Sequence, residues 1–308
     1  LRRCTIITPV MAQMMPKMTL KMAALAALVH CNKGHNMYKG FNLTLNNSFF
    51  DYKLQQDISI IKRGILNQNE ANKDKIRKDI KELIKNNNSI SANDIILNWF
   101  RISDYDIFLS HSHSDKNLAI NLASWLNLKF GLRTFIDSCI WGNFIDLARD
   151  LNNSYSLTQN NNYDYDKAQN VFTHVNALLN TSLTNMINRC ESVFFLNTDN
   201  SIAESSYTNQ DITLSPWIYH ELLITKVIEK IKPRPSLESL TKSDFLAFDS
   251  INESLIIEYD AEISHLFNLD NAKLKNWEIL YSKNIPNKIK SHPLDILYLS
   301  TGRNNMYG

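Results

Sequence analysis

The chain has 308 residues, 44% hydrophobic and 21% charged, which is the composition of a globular protein with one large domain or two ordinary ones. Its formal net charge is +2, so charge gives no reason to expect nucleic acid or an acidic membrane as a partner. It has only 7 glycines and neither GxGxxG nor GxxxxGK[ST], which excludes the familiar glycine-rich phosphate loops. The four cysteines form no CxxC pair, which favours a reducing cytoplasm and gives no zinc-knuckle pattern.

A short apolar run, 18–29, lies near the start of the chain. It is too short to span a bilayer, and the alternative is the core of a signal peptide. Because the chain begins with Leu1 and Met37 follows soon after, we expect residues 1–36 to be an over-extended reading of the gene. Residues 1–50 are therefore assigned no regular structure and are expected to be disordered.

An amphipathic helical segment is predicted for residues 51–102. Apolar residues recur at helical spacing through 54–66 and 69–85, and the asparagine run at 86–88 ends the pattern. Ser91 or Asn93 caps a further short helix. The apolar stripe of this segment needs a partner, which is either the following domain or another copy of the chain.

Strands and helices begin to alternate at Tyr105. The run 105–110 is typical of a buried strand, the next helix ends near Gly131, and 132–136 is a second strand, so a parallel βαβ unit is predicted. The elements expected after it are a loop at 138–142, a helix at 144–151, an irregular insertion at 152–170, a helix at 171–190, a buried strand at 193–196, a polar loop at 197–213, a helix from Ser215, a strand at 255–259, a helix at 271–282 and an apolar segment at 292–299 that packs back.

This order predicts an α/β domain over residues 103–300, with a doubly wound, flavodoxin-like parallel sheet of about five strands, an insertion at about 145–170 and a tail at 301–308. Ligands bind to such sheets where strands end and helices begin. The loops after Ser110, Asp137 and Asn197 should therefore share one rim, at which the helix from Ser215 also starts.

That last helix carries one oddly placed carboxylate. Ser215 is a good N-cap, and Pro216 suits the first helical position. Glu221 follows Trp217 by four residues, so both side chains lie on one helix face. Glu221 is either a residue at the edge of the core that reaches water or one that lines a cleft, and Trp217 is either core or pocket.

Three motifs together resemble a bacterial Toll/interleukin-1 receptor (TIR) domain. They are Tyr105-Asp106-Ile107-Phe108-Leu109-Ser110-His111, Thr134-Phe135-Ile136-Asp137 and Ser215-x-Trp217-x-x-x-Glu221-Leu222, which are similar to the family's first strand, second strand and Ser-x-Trp-x-x-x-Glu helix start. Residues 138–144 are similar to the start of the family's BB loop. The resemblance covers residues from about 103 onwards, and the stretch 138–171 is longer than in ordinary TIR domains.

Many TIR domains cleave NAD⁺ between nicotinamide and ribose, and the resemblance implies the same activity here. Glu221 matches the catalytic glutamate, which would stabilise the oxocarbenium character of the ribose as neutral nicotinamide leaves. The further residues expected to contact NAD⁺ are Ser110, His111, Ser112, His113, Asp137, Phe144 and Trp217. NAD⁺ is then the substrate, and neither a cofactor nor a metal is expected. The product is either ADP-ribose or a cyclic ADP-ribose.

The resemblance also implies partners and a role. TIR activity usually depends on self-association through the domain and its BB loop, and a product that acts as a signal requires a downstream effector. Bacterial TIR proteins commonly act in defence against phage, so an antiviral role is expected.

Two other functions stay open. Many TIR domains are non-catalytic modules that bind other TIR domains and signal. A metal-dependent hydrolase is the second, because His111-Ser112-His113-Ser114-Asp115-Lys116 is similar to the HxHxDH metal motif. Lys116 replaces the last histidine of that motif, however, and no later cluster supplies clear ligands. Asp137 either touches a ligand or caps the next segment.

Overall fold

A sheet of five parallel strands lies at the centre of the protein's computed structural model. The structure describes residues 37–45, 47–86, 90–100, 104–141, 144–204, 211–234, 257–284 and 291–302. Its strands are β1 (Lys39–Thr44), β2 (Ile107–Ser110), β3 (Thr134–Phe135), β4 (Ser192–Asn197), β5 (Ala203–Glu204), β6 (Asp211–Thr213), β7 (Tyr259–Asp260) and β8 (Phe267–Asp270). The central sheet has the order β3-β2-β4-β1-β8 with every neighbouring pair parallel, while β5, β6 and β7 form a small antiparallel sheet.

Helices cover both faces of the central sheet, which confirms the predicted doubly wound α/β fold. They are α1 (Tyr52–Asn86), α2 (Ala92–Asn98), α3 (Lys116–Phe130), α4 (Asp137–Ile140), α5 (Phe144–Tyr155), α6 (Tyr165–Arg189), α7 (Pro216–Val227), α8 (Asn271–Asn284) and α9 (Pro293–Gly302). The first face of the sheet carries α3, α8, α9 and the first half of α1. The second face carries α2, α5, α6, α7 and the second half of α1. None of these helices, within the described ranges, is long and apolar enough to cross a membrane.

Strand β1 is the main departure from the prediction, which gave residues 1–50 no regular structure. The strand lies between β4 and β8, with Phe41 and Leu43 fully buried. Asn42 Nδ2 donates a hydrogen bond of 3.1 Å to Asn268 Oδ1 on β8. The hexapeptide KGFNLT contains only two large apolar residues, so its own pattern is too weak to indicate a central strand. Pairing with the adjacent strands β4 and β8 determines its position instead. The expectations for residues 1–36 lie outside the described residues.

Three other segments also differ from the prediction. The loop expected at 138–142 is occupied from Asp137 to Ile140 by α4. The insertion predicted to be irregular at 152–170 is helical at both ends, because α5 continues to Tyr155 and α6 begins at Tyr165, and only its middle, 156–164, is irregular. The strand expected at 255–259 is represented by β7, which lies in the antiparallel sheet rather than the central one.

Local capping explains why the two ends of the insertion are helical. Asp164 accepts a hydrogen bond of 3.0 Å from the backbone N–H of Lys167, which caps the start of α6. At the end of α5, the buried Ser156 hydroxyl donates to Asn152 Oδ1 at 2.8 Å. Asn and Asp therefore serve here as helix ends, whereas their composition alone indicates a loop.

An ion cluster before β4 fastens the C-terminal helix α9 to the sheet. Glu191, which is 2% exposed, accepts hydrogen bonds from Arg234 at 2.5 and 2.9 Å and from the Tyr298 hydroxyl at 3.0 Å. Arg234 also donates to Asp295 at 2.7 Å. These contacts pair the buried charges, and they confirm that the segment predicted at 292–299 packs back onto the domain.

The central position of β1 can be tested by truncating its core side chain. Phe41 is fully buried and packs edge-on against Phe194, with ring centroids 5.3 Å apart. We expect Phe41→Ala to lower the free energy of unfolding by about 3–5 kcal/mol, because it leaves a cavity in the core. Tyr52→Ala, at a residue that is 78% exposed, is the control and should change it by less than about 0.5 kcal/mol. Equal effects of the two substitutions in urea unfolding would contradict the central placement of β1.

Candidate functional site

The carboxyl end of β2 lies at a topological switch point, where the order in which strands are added to the sheet reverses. The chain leaves β2 for β3 on one side, and the next strand of the sheet, β4, lies on the other side of β2. Open parallel sheets bind ligands outside the carboxyl ends of strands at such a point. Ser110, the last residue of β2, contacts Glu221 of α7 there, so the predicted rim contains the candidate carboxylate.

Helix α7 begins as its sequence predicts. The Ser215 hydroxyl accepts a hydrogen bond of 3.3 Å from the backbone N–H of Ile218, and Pro216 occupies the first helical position. The buried residues of the helix are Ile218, Glu221, Leu222 and Thr225. Their spacing of three, four and seven residues places them on one helix face. Glu221 therefore points towards the sheet because its neighbours on that face are core residues.

Strand alternation brings Ser110 to the same place. Phe108 packs in the core on the second face of the sheet, and Leu109 packs on the first. Since successive side chains of a strand point to opposite faces, Ser110 joins Phe108 on the second face, under α7. The Ser110 hydroxyl donates a hydrogen bond of 2.5 Å to Glu221 Oε2, and the two residues are 2% and 4% exposed.

The surroundings of Glu221 favour its protonated form. Burial raises the pKa of Glu221 well above its ordinary value of 4.5, and the negative charge of Asp137 raises it further. The hydrogen bond from Ser110 opposes both effects, because it stabilises the carboxylate. The folded protein therefore holds a carboxyl group whose ionisation is unfavourable until a positive charge or higher pH compensates.

His111 and Asp137 complete the polar part of the site. Nδ1 of the buried His111 ring lies 3.2 Å from the Leu109 carbonyl oxygen and 3.9 Å from Asp137 Oδ1. Asp137 is the first residue of α4, and its side chain is 37% exposed. The structure thus brings together four of the predicted site residues, Ser110, His111, Asp137 and Glu221.

The two predicted aromatic residues contact each other. Phe144 begins α5 and Trp217 lies in the first turn of α7, with ring centroids 5.2 Å apart and planes at 70°. Both are partly buried against the core of the second face. Because Trp217 precedes Glu221 by one helical turn, this pair lies beside the carboxylate.

The remaining two predicted residues lie farther along the loop after β2. Ser112 precedes a one-turn 3-10 helix, His113–Asp115, and its side chain makes no capping hydrogen bond. Ser112 is partly exposed and His113 is exposed. Among the described residues no group of three or more His, Cys, Asp or Glu side chains is placed to hold a metal ion.

Sequence reasoning missed a network that joins the loops after β2 and β4. Asp115, which is 8% exposed, accepts hydrogen bonds from the Thr198 hydroxyl at 2.5 Å and from Asn200 Nδ2 at 2.8 Å. The Ser201 hydroxyl, in turn, donates to the Leu196 carbonyl at 3.0 Å. These bonds fix the rim next to Ser110. The only sequence signal for them is that polar residues follow both strands, which does not identify the pairs.

The chain was compared with models of known protein families, with curated proteins and with solved structures, and none of the three comparisons found a match. The likeness to TIR domains therefore rests on the residues of the three motifs.

The burial of Glu221 predicts how stability depends on pH. Since its pKa is raised in the folded state, the folded protein binds the proton more tightly than the unfolded chain, and stability falls as pH rises through this range. Glutamine cannot ionise but can still accept from Ser110. We expect Glu221→Gln to be more stable than wild type near pH 8, by on the order of 1 kcal/mol or more, and the difference to shrink near pH 5.

Urea unfolding at both pH values measures this difference. Glu229→Gln makes the same change at an exposed residue just beyond α7 and is the matched control. A Glu221→Gln variant that is less stable than wild type near pH 8 would show that the carboxylate is well stabilised in the fold.

Proposed function

We propose that the protein cleaves NAD⁺ at the bond between nicotinamide and ribose, with Glu221 as the catalytic residue. The observation that carries this proposal is the buried Glu221 carboxyl, held by Ser110 at the carboxyl end of β2 and flanked by Trp217 on the same helix face. The resemblance of these residues to TIR domains that cleave NAD⁺ supports it. Self-association through the domain, a downstream effector and a role in defence against phage belong to the same proposal.

The chemistry requires a carboxylate but no general acid. When the bond between ribose C1′ and the pyridinium nitrogen breaks, its electron pair goes to the ring, and nicotinamide leaves neutral. Positive charge develops on C1′ and the ribose oxygen, where an ionised carboxylate stabilises it. Water then forms a bond to C1′ and loses a proton, which gives ADP-ribose. Capture of C1′ by another atom of the same molecule gives a cyclic product instead.

The contacts of Glu221 suit this task. Ser110 holds Oε2, and Oε1 is the oxygen that would face the ribose. The negative charge of Asp137 disfavours the ionised form of Glu221. The pyridinium ring of NAD⁺ carries a positive charge, which has the opposite effect and favours the ionised form. A carboxylate in a site of low dielectric constant also attracts a developing cation more strongly than one in water. Binding of the substrate would therefore ionise Glu221 at the position where charge is needed.

The burial of Glu221 also favours a second candidate, a non-catalytic interaction module. At 4% exposure, Glu221 serves in this structure as an internal link between α7 and β2. In that case the exposed surfaces would bind other TIR-like domains, and the Glu221 carboxyl would have a structural role alone.

The experiment follows nicotinamide release from NAD⁺ by the purified protein. We expect turnover by wild type and a decrease on the order of 100-fold or more in Glu221→Gln, because the variant lacks the negative charge but keeps the hydrogen bond. Glu229→Gln, at an exposed position, is the matched control and should retain full activity.

Each outcome separates the two candidates. Turnover that Glu221→Gln leaves unchanged would rule out the assigned catalytic residue. If neither protein turns over NAD⁺ across a range of protein concentrations, while sedimentation shows concentration-dependent self-association, the interaction module is favoured. Product chromatography of the active protein distinguishes ADP-ribose from a cyclic form.

A further inference from the structure

A cavity lies on the first face of the sheet, apart from the Glu221 site. Its volume is about 600 Å³, within the range of roughly 300–1,000 Å³ that small-molecule sites occupy. Its walls come from α1, α3, β3 and α4. Ser110, His111, Asp137 and Glu221 are not part of its lining. The cavity is therefore a separate candidate site.

Aliphatic side chains form part of the cavity wall. Ile61 and Ile65 line it from α1, while Leu132 and Ile136 line it from the segment around β3. Gly64 lies between the two isoleucines, and a Cβ atom built there would meet nothing within 4 Å. This glycine keeps the α1 side of the cavity open. Aliphatic walls without large side chains between them suit a flat apolar body such as an aromatic ring.

Polar groups also line the cavity. Gln68, Asn72 and Asn127 contribute amides, which can both donate and accept hydrogen bonds.

Arg133 is an exposed residue on the cavity wall. Asp104 and Arg133 both line it, but Asp104 is paired with Arg189 at 3.1 Å. The Arg133 side chain forms no ion pair with any other described residue. A guanidinium group binds phosphate or carboxylate through two parallel hydrogen bonds. The cavity therefore combines an apolar interior, amides and a site for one anionic group.

We propose that this cavity binds a small molecule that carries a heteroaromatic ring and one anionic group, the chemistry of a mononucleotide. The aliphatic side chains hold the ring, the amides bond to its polar edge, and Arg133 binds the anionic group. Helix α4 lines the cavity with Cys139 and Ile140, and its first residue is Asp137 of the Glu221 site. A bound molecule would therefore contact the helix that places a charge beside Glu221.

Isothermal titration calorimetry with AMP and adenosine as probes tests this proposal without reference to NAD⁺ cleavage. We expect wild type to bind AMP at least about tenfold more tightly than adenosine, because only AMP carries the group that Arg133 binds. Arg133→Gln should remove this preference. Gly64→Leu should abolish binding of both probes by filling the open space, while helix content is kept, because leucine favours a helix more than glycine does.

Glu221→Gln is the control for the other site and should bind AMP as wild type does. No heat of AMP binding in wild type up to millimolar concentration would overturn the proposal. AMP binding that is unaffected by Gly64→Leu, or that is lost in Glu221→Gln, would place the probe elsewhere and would overturn it as well.

Discussion

The hydrogen bond between Ser110 and Glu221 connects the sheet to the helix that covers it, across 111 positions of sequence. It depends on two independent periodicities. The alternation of β2 turns Ser110 to the second face of the sheet, and the helical spacing of α7 turns Glu221 towards the same place. A shift of one residue in either element would leave a buried polar group without a partner, at a cost of about 1–3 kcal/mol. The register of α7 on the sheet is therefore tied to this contact.

The position of the Glu221 carboxyl is electrostatically unfavourable for its ionised form. Burial and the charge of Asp137 both oppose ionisation of Glu221, and only Ser110 favours it. The fold could bury an apolar side chain here without this conflict, as it does at the neighbouring Ile218 and Leu222. Unfavourable groups held in place by the rest of a fold are concentrated at functional sites, which is why this carboxyl is the best candidate for chemistry.

The polar rim around Ser110 is fixed from several directions. Asp115 binds Thr198 and Asn200, so the loops after β2 and β4 hold each other. Phe144 packs against Trp217, which joins α5 to the first turn of α7. A site whose loops are fixed in this way needs little reorganisation to hold a substrate in one orientation, which lowers the entropic cost of reaction.

The sequence was sufficient for those features that depend on local pattern. Ser215, Pro216 and the apolar stripe of α7 are read from a few neighbouring residues, and the strand ends at Ser110 and Asp137 follow from compact apolar runs. Strand β1 was missed because its position depends on pairing with β4 and β8, which are distant in sequence. The contact of Asp115 with Thr198 was missed for the same reason, because the sequences of two polar loops do not show which of their residues contact each other. The burial of Glu221 likewise depends on how the whole domain packs. The sequence alone therefore did not decide whether Glu221 lies at the edge of the core or lines a cleft.

The most direct test is the pKa of the Glu221 carboxyl itself. It can be measured by ¹³C NMR titration of protein labelled at the glutamate side-chain carbons, with Glu221→Gln to assign the resonance. The expected resonance titrates well above the ordinary value of 4.5 and moves to lower pH in Asp137→Asn, which removes a neighbouring negative charge. A resonance that titrates in the ordinary range of glutamate, or that Asp137→Asn does not move, would contradict the buried and charge-coupled carboxyl on which the proposed catalysis depends.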